Sequence, residues 1–181
     1  FNCAASSERT SDKEIFPLIK DNKMWSGRTE WSGGLWFETT NKDDIDKVID
    51  GVNMKNIASI WFTNMEHGRR HSPLELNTQS QNLKHLSHKD FKETGYQKYD
   101  NYDALEVPYT DLIPSDYDGV MGVPISFLDK YCPEQFDLIG MGEDNGMGYS
   151  GGVWLGGSKS CLINGRAAFK RIFIRHKNPQ K

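Results

Sequence analysis

Cysteine is scarce in this chain of 181 residues: Cys3, Cys132 and Cys161 are odd in number and widely spaced. With no Cys-x-x-Cys pair, neither a disulfide framework nor a structural zinc site is suggested, and a reducing cytosol is the simplest compartment. Long apolar runs are missing too. No stretch approaches the roughly 18 residues of a spanning helix, and the mean hydropathy is -0.67. The chain opens on Phe1 rather than Met and has no basic-plus-apolar leader, which points to a processed or trimmed product or a fragment. Nor is there an excess of positive charge: 22 Lys+Arg face 25 Asp+Glu, a formal net charge of -3. A histone-like protein or non-specific nucleic-acid coat binds through a large positive charge, so any nucleic-acid role must come from local patches. No Gly-x-Ser-x-Gly elbow occurs and no cysteine lies in a nucleophile context, which leaves hydrolase chemistry little support.

What is present suffices for a core, with 36% hydrophobic and 12% aromatic residues. The length fits one domain, or one and a half. Thr10-Ser-Asp12 before Lys13-Glu-Ile-Phe16 predicts a helix start capped by Ser11 or Asp12, with Ile15, Phe16 and Ile19 on its apolar face and Pro17 keeping it short. Trp, Gly and Ser dominate 21–37, as in strands and turns. The charged segment 43–55 reads as a short helix or loop between strands. Ile57-Ala-Ser-Ile-Trp-Phe-Thr63 is the strongest strand. The polar stretch 67–92, with five Lys/Arg and four His, reads as a loop with short helical pieces.

Further on, Val107-Pro108 and Ile113-Pro114 mark extended segments and turns. Val120 to Val123 reads as a buried strand, Pro124 as the start of a helix through Leu128 and Tyr131, and Phe136 to Ile139 as another strand. The glycine-rich stretch 140–157 predicts a flexible loop. Residues 161–175 read as a hairpin on a type I′ Asn164-Gly165 turn. Strands and helices mix without a repeat, so the expected class is α/β or α+β, organised as a single domain over 1–181.

Several groups invite a chemical reading. Phe136-Asp-Leu-Ile-Gly140-Met-Gly142 resembles the opening of a nucleotide or S-adenosylmethionine loop. That loop must lead directly into a helix, which Gly148 to Gly157 cannot supply. His67, His71, His85 and His88 lack a nearby thiolate and match no common zinc-finger spacing, so no metal is expected. Asp100, Asp103, Glu106, Asp111, Asp116 and Asp118 lack the ligand series of an EF-hand and read as turn formers and surface charge. Arg69, Arg70 and His71, after the strand ending at Asn64, could clamp an anion or form a solvated loop. From Ser158 to Lys181 there are seven Lys/Arg and no acid. Lys170 and Arg171 fall on or beside a predicted strand, where a sheet edge beside DNA and an ordinary protected edge explain them equally.

One run is more specific. Tyr96-Gln-Lys-Tyr-Asp-Asn-Tyr-Asp-Ala-Leu-Glu-Val-Pro108, Ile113-Pro-Ser-Asp-Tyr-Asp-Gly-Val-Met-Gly-Val-Pro-Ile-Ser-Phe-Leu-Asp-Lys-Tyr131 and Pro133-Glu-Gln-Phe-Asp-Leu-Ile-Gly140 resemble the second half of the EcoRI-type adenine-specific DNA methyltransferase family. Lys13 to Trp25, Trp61 to Met65 with Arg69-Arg-His71, and Ile163 to Arg175 agree in order. The resemblance implies a bacterial restriction-modification or orphan enzyme that moves a methyl group from S-adenosylmethionine to the exocyclic amine of adenine. Such enzymes flip the base into a pocket and use an (Asn/Asp)-Pro-Pro-(Phe/Tyr) loop. This sequence has no Pro-Pro. In the family that loop and the cofactor glycines lie upstream of the matched region, so no catalytic or cofactor-binding residue is carried over.

The implied fold is an incomplete Rossmann-like methyltransferase sheet with an α+β DNA-recognition extension. Trp61 to Asn64 would be a late strand of that sheet, 67–92 a basic insertion on its DNA side, and Gly165 to Arg175 its completion. Arg69, Arg70, His71, Lys84, Lys89, Lys170 and Arg171 are the expected DNA-backbone contacts. Double-stranded DNA and an upstream or separately encoded catalytic half are the expected partners, and S-adenosylmethionine belongs to the complete enzyme. The alternative is a non-catalytic DNA-binding or interaction module, or a remnant without function.

Overall fold

The β-branched run at 57–63 belongs to two strands, and this division sets out the first part of the chain. The computed structural model describes residues 2–6, 14–28, 31, 33–57, 59–84, 88–142 and 148–180. The chain falls into two compact units, 1–66 and 67–181.

The first unit contains β1 (Asn2–Ser6), α1 (Phe16–Lys20), β2 (Trp25–Ser26), β3 (Leu35–Glu38), β4 (Lys47–Ile49), β5 (Val52–Ile57) and β6 (Ser59–Thr63). The expected caps Ser11 and Asp12 lie outside the described residues. α1 is one short turn with Pro17 near its start, and it buries Phe16 and Ile19. The antiparallel sheet β1–β6–β2 buries Ile60 and Phe62, and the Trp31 ring meets Phe62 edge-on at 6.4 Å.

A second sheet, β3–β5–β4, corrects the expectation for 43–55. That segment is mainly a hairpin, with Val48 opposite Asn53 and Ile49 opposite Val52. Asp50 and Gly51 adopt φ of 50° and 80°, the positive-φ pair that matches the twist of a tight hairpin. The sheet leaves Trp36, Phe37, Val48, Ile49, Val52 and Ile57 exposed. Trp61 to Thr63 lie in β6, within the first unit's own sheet, and not in the sheet described next.

In the second unit, α2 (Gln79–Lys84) and α3 (Lys89–Thr94) precede β7 (Gln97–Lys98), β8 (Leu105–Glu106), β9 (Met121–Pro124), β10 (Phe136–Met141), β11 (Leu162–Ile163), β12 (Arg166–Ala167) and β13 (Arg171–His176). Thr78 and Gln81 form a reciprocal cap for α2: the Thr78 N–H donates to Gln81 Oε1 at 2.8 Å and the Gln81 N–H to Thr78 Oγ1 at 3.3 Å. The five-stranded sheet has the order β10–β13–β9–β8–β7. β13 is antiparallel to both neighbours and β8 is parallel to β9, so β8, β9 and β10 share one direction. β13 is therefore interior, which corrects both edge-strand readings of its charged residues. The helix expected from Pro124 through Leu128 and Tyr131 is a 3₁₀ helix, Ile125–Lys130, with Pro124 just before it.

β13 buries residues on both faces, so both sides of the sheet are covered at this strand. Ile172 and Ile174 lie on one face, opposite Val123 and Met121 on β9. On the other, Phe173 packs with Tyr99, Tyr102, Ala104, Val120 and Cys161, and the Tyr102 ring lies 5.0 Å from it. Gly122 and Gly140 flank Phe173 in register. A methyl at Gly122 would meet the Tyr99 ring and one at Gly140 the backbone of Tyr149 and Ser150, so these glycines make room for the covering layer.

Candidate nucleic-acid interface

Residues 158–171 form a cationic surface segment whose backbone is fixed from several sides. Asn101 Nδ2 donates to the carbonyls of Ser158 (2.5 Å) and Ser160 (2.9 Å), and Asn101 Oδ1 accepts from the Leu162 N–H (2.9 Å). Tyr102 Oη donates to the Lys159 carbonyl at 2.6 Å. Asn164 and Gly165, at φ of 50° and 75°, form the positive-φ turn that Asn-Gly predicts. The Asp100 carboxylate receives their N–H groups at 3.2 and 2.8 Å.

The base of the segment is a buried ion pair. Arg171 (8% exposed) reaches Glu106 (6% exposed) through Nη2 at 2.6 Å and Nε at 3.0 Å. Tyr99 Oη donates to the same carboxylate. Burial by itself would lower the Arg171 pKa, but the Glu106 contact outweighs it and the guanidinium lies above its ordinary value. Burial, then the Glu106 charge, raises Tyr99. Arg171 Nη1 also donates to the Phe169 carbonyl at 3.2 Å, and the Ala168 N–H to the Cys161 carbonyl at 2.8 Å. Between these anchors the Phe169 side chain points outward, 89% exposed. A cleft of about 150 Å³ beside it is lined, among the described residues, by Lys159, Ser160, Cys161 and Lys170 together with others.

The basic turn Gly68–His71 is built differently. Arg69 Nη2 meets Asp129 Oδ2 at 2.7 Å, and His71 Nδ1 lies 2.8 Å from Glu134 Oε1. Arg70 is buried at 6% exposure. The Cys132 thiol, then His71, hold the Glu134 carboxyl below its ordinary value, while burial raises Cys132. Gln135 exchanges hydrogen bonds with both backbone groups of Leu74, at 2.7 and 2.9 Å. Lys84, ending α2, and Lys89, starting α3, are exposed. Next to Lys89, His88 stacks on Tyr109 at 3.8 Å and contacts Asp111 at 3.0 Å.

Of the seven residues expected at DNA, Lys84, Lys89 and Lys170 therefore present exposed side chains, Arg69 and His71 carry carboxylate partners, and Arg70 and Arg171 turn inward. Phe169, Lys159 and the Asp100–Asn101 scaffold were missed. Their signals were an aromatic beside cations in an acid-free stretch and the Asp-Asn pair preceding it.

The acidic stretch 99–118 goes into structure: Asp100 holds the hairpin, Glu106 holds Arg171 and Asp116 accepts the Gln79 N–H at 2.8 Å. Among the described residues no group of three His, Cys, Asp or Glu could hold a metal ion, with His85 outside them. The strand leading to Gly140 opens no ligand-binding turn within the described residues. Residues 148–157 fold back on the sheet, where the Met141 N–H donates to the Tyr149 carbonyl at 3.0 Å and Trp154 bridges to Tyr102. Gly151 is pressed against the Ile139 carbonyl. Residues 143–147, which would form the turn of the cofactor loop that the sequence suggested, lie outside the described residues. No described helix is long and apolar enough to cross a membrane.

These features define a mixed α/β chain that displays lysines and an aromatic ring on a rigid surface segment. The family described as Adenine-specific methyltransferase EcoRI matches residues 5–177, and the chain belongs to it. It is 38% identical over 176 residues to the Type II methyltransferase M.EcoRI of Escherichia coli, a match covering 93% of this chain and 48% of that protein. It is 32% identical over 133 residues to M.MpnI of Mycoplasma pneumoniae (70% and 39% covered) and 36% over 136 residues to M.MgeORF184P of Mycoplasma genitalium (71% and 40%). The chain thus spans about half the length or less of these relatives. No solved structure matches it.

Proposed function

We propose that this chain is the C-terminal, DNA-facing part of an adenine-specific N6 DNA methyltransferase of a restriction-modification or orphan system, and that it does not methylate alone. The observation that carries this is a family match over nearly the whole chain that accounts for about half of M.EcoRI. The co-directional strands β8, β9 and β10, with the last strand inserted between two of them, support an incomplete Rossmann-like sheet as this half's share of the fold. S-adenosylmethionine and the methyl-transfer loop belong to the other half, so no chemical step is assigned to residues of this chain. The sheet register puts the exposed Trp36, Ile49 and Val52 on one face of β3–β5–β4, and that face is where the other half docks, since exposed apolar groups gathered on one side mark an interaction site.

Against duplex DNA the lysines contribute charge. Lys84, Lys89 and Lys170 contact phosphates, which set position on the duplex without reading sequence. Arg69 and His71 contribute by exchanging a carboxylate for a phosphate, while Arg70 and Arg171 hold the scaffold. Binding of the intact chain to a labelled duplex, titrated from about 50 to 200 mM salt, tests this, because each neutralised phosphate adds about 0.9 to the logarithmic salt slope. Replacing Lys84 and Lys89 by Gln lowers the slope by about two. Salt-independent binding, or none at the lowest salt, refutes the DNA assignment.

A further inference from the structure

We propose that Asn164-Gly165 is a site of covalent modification by deamidation, and that the Asp100 carboxylate holds the reaction back. The chemistry stands apart from any contact with DNA. Asparagine is a thermolabile residue, most of all before glycine, where no Cβ hinders the attacking nitrogen. Asn164 and Gly165 are both exposed, so solvent can supply the water and the base. The Gly165 nitrogen attacks Asn164 Cγ, a C–N bond forms and the Cγ–Nδ2 bond breaks. The side-chain nitrogen leaves as ammonia, taking up the proton that the Gly165 nitrogen gave up. Water then opens the cyclic imide at either carbonyl, so asparagine plus water becomes aspartate or isoaspartate plus ammonia.

Asp100 meets the attacking atom directly. Its Oδ2 accepts the Gly165 N–H at 2.8 Å and its Oδ1 the Asn164 N–H at 3.2 Å. Two consequences oppose ring closure. The Gly165 nitrogen attacks only after losing its proton, and an anionic acceptor both stabilises the N–H and disfavours a second negative charge beside it. Closure also requires rotation about the Asn164 Cα–C bond, which the paired contacts resist while the two residues keep φ of 50° and 75°. The carboxylate is itself held in place, because the Asp100 N–H donates to the Leu162 carbonyl at 2.8 Å and Asn101 Oδ1 accepts the Leu162 N–H at 2.9 Å. The Asn-Gly pair that favours the turn is thus the pair most open to chemical change. Its product would carry a new negative charge next to Arg166, and the isoaspartate form would add a backbone carbon to the tight turn between Ile163 and its partner Arg166.

The test incubates the folded chain, the same chain unfolded in urea, and the variants Asp100→Asn and Tyr102→Phe at mildly alkaline pH. Peptide mass spectrometry follows Asn164 and separates it from the chain's other Asn-Gly pair, Asn145-Gly146. The folded chain should deamidate at Asn164 far more slowly than the unfolded one. Asp100→Asn removes the charge and one acceptor at nearly constant volume, and should deamidate about ten-fold faster or more, the factor of a lost hydrogen bond to a charged group. Tyr102→Phe removes the hydrogen bond to the Lys159 carbonyl, which loosens the same segment but leaves the carboxylate in place, and should keep the unsubstituted rate. An Asp100→Asn rate equal to that of the unsubstituted chain overturns the proposal. Equal acceleration in Tyr102→Phe overturns it too, because protection would then come from the rigidity of the segment and not from the carboxylate. A folded chain that deamidates as fast as the unfolded one shows no protection and overturns it as well.

Discussion

Replacing Glu106 by Gln should unfold a large part of the second unit's stability while changing almost no volume. Three guanidinium-to-carboxylate contacts at 2.6, 3.0 and 3.2 Å join Arg171 to Glu106, and both residues are buried. The amide of Gln brings no negative charge and presents an N–H₂ donor toward groups that are themselves donors, the Arg171 fork and the Tyr99 hydroxyl. A buried cation left without its partner costs about 3–5 kcal/mol, a large share of the roughly 5–15 kcal/mol by which a domain is stable. Because Arg171 also holds the Phe169 carbonyl, the loss should extend to residues 168–170. Four of the five tryptophans lie in the first unit, so whole-chain fluorescence would report mainly on the wrong region. Hydrogen exchange on peptides from β9, β10 and β13 reads the affected sheet directly. A triple variant, Glu106→Leu with Tyr99→Phe and Arg171→Met, removes every member of the network together and should be more stable than Glu106→Gln. A loss below about 1 kcal/mol in Glu106→Gln, against the 3–5 expected, would show that the guanidinium finds water and that the pair does not anchor the segment.

Two further outcomes follow from burial. Burial pushes the Cys161 thiol up to about 12 and also raises Cys132, so at about pH 8 both should resist iodoacetamide in the folded chain and react once it is denatured, because the thiolate is the nucleophile; peptide mass spectrometry reads each site, and rapid native labelling would contradict the packing. Burial lowers His176, beside the Phe136 ring, below 6.5, so the unfolded chain takes up this proton first as pH falls: the stability His176 contributes is complete above pH 6.5 and is lost as pH drops through the folded value. His176→Gln should flatten that part of the stability–pH curve, and an unchanged curve would show that His176 is not its source.

Local signals were the legible ones. Asn164-Gly165 specified its own turn, and Val120 to Val123 and Phe136 to Ile139 carried enough β-branched and apolar character to stand out as strands. The hairpin at 47–57 was hidden because Lys47, Asp50 and Lys55 gave it a polar cast, although Asp50-Gly51 was a turn signal of the same kind. The run at 57–63 read as one strand because composition does not mark where a chain leaves one sheet for another. β13 was placed at an edge because its charges were counted without their partners. Glu106 lies 65 residues before Arg171, and Asp129 lies 60 after Arg69; no periodicity links such pairs, so the carboxylate partners of these arginines were invisible in the sequence.

The same long-range pairing reconciles a net charge of -3 with a cationic surface. Charge counted along a chain measures a ligand's attraction only if every charge faces solvent unpaired, and here Glu106 is buried against Arg171 while other acids hold local partners. Asp100 serves two backbone N–H groups, Glu106 serves a buried guanidinium and Asp116 serves the start of α2. The basic turn at 68–71, the more conspicuous cation cluster in the sequence, is drawn toward Asp129 and Glu134. Lys159, Arg166 and Lys170 lie in a stretch that contributes no acid of its own, on a segment that the acids of 99–118 help to hold. The acidic run therefore builds the platform from which the later lysines act, and the field that a polyanion meets is set by where carboxylates are consumed more than by how many there are.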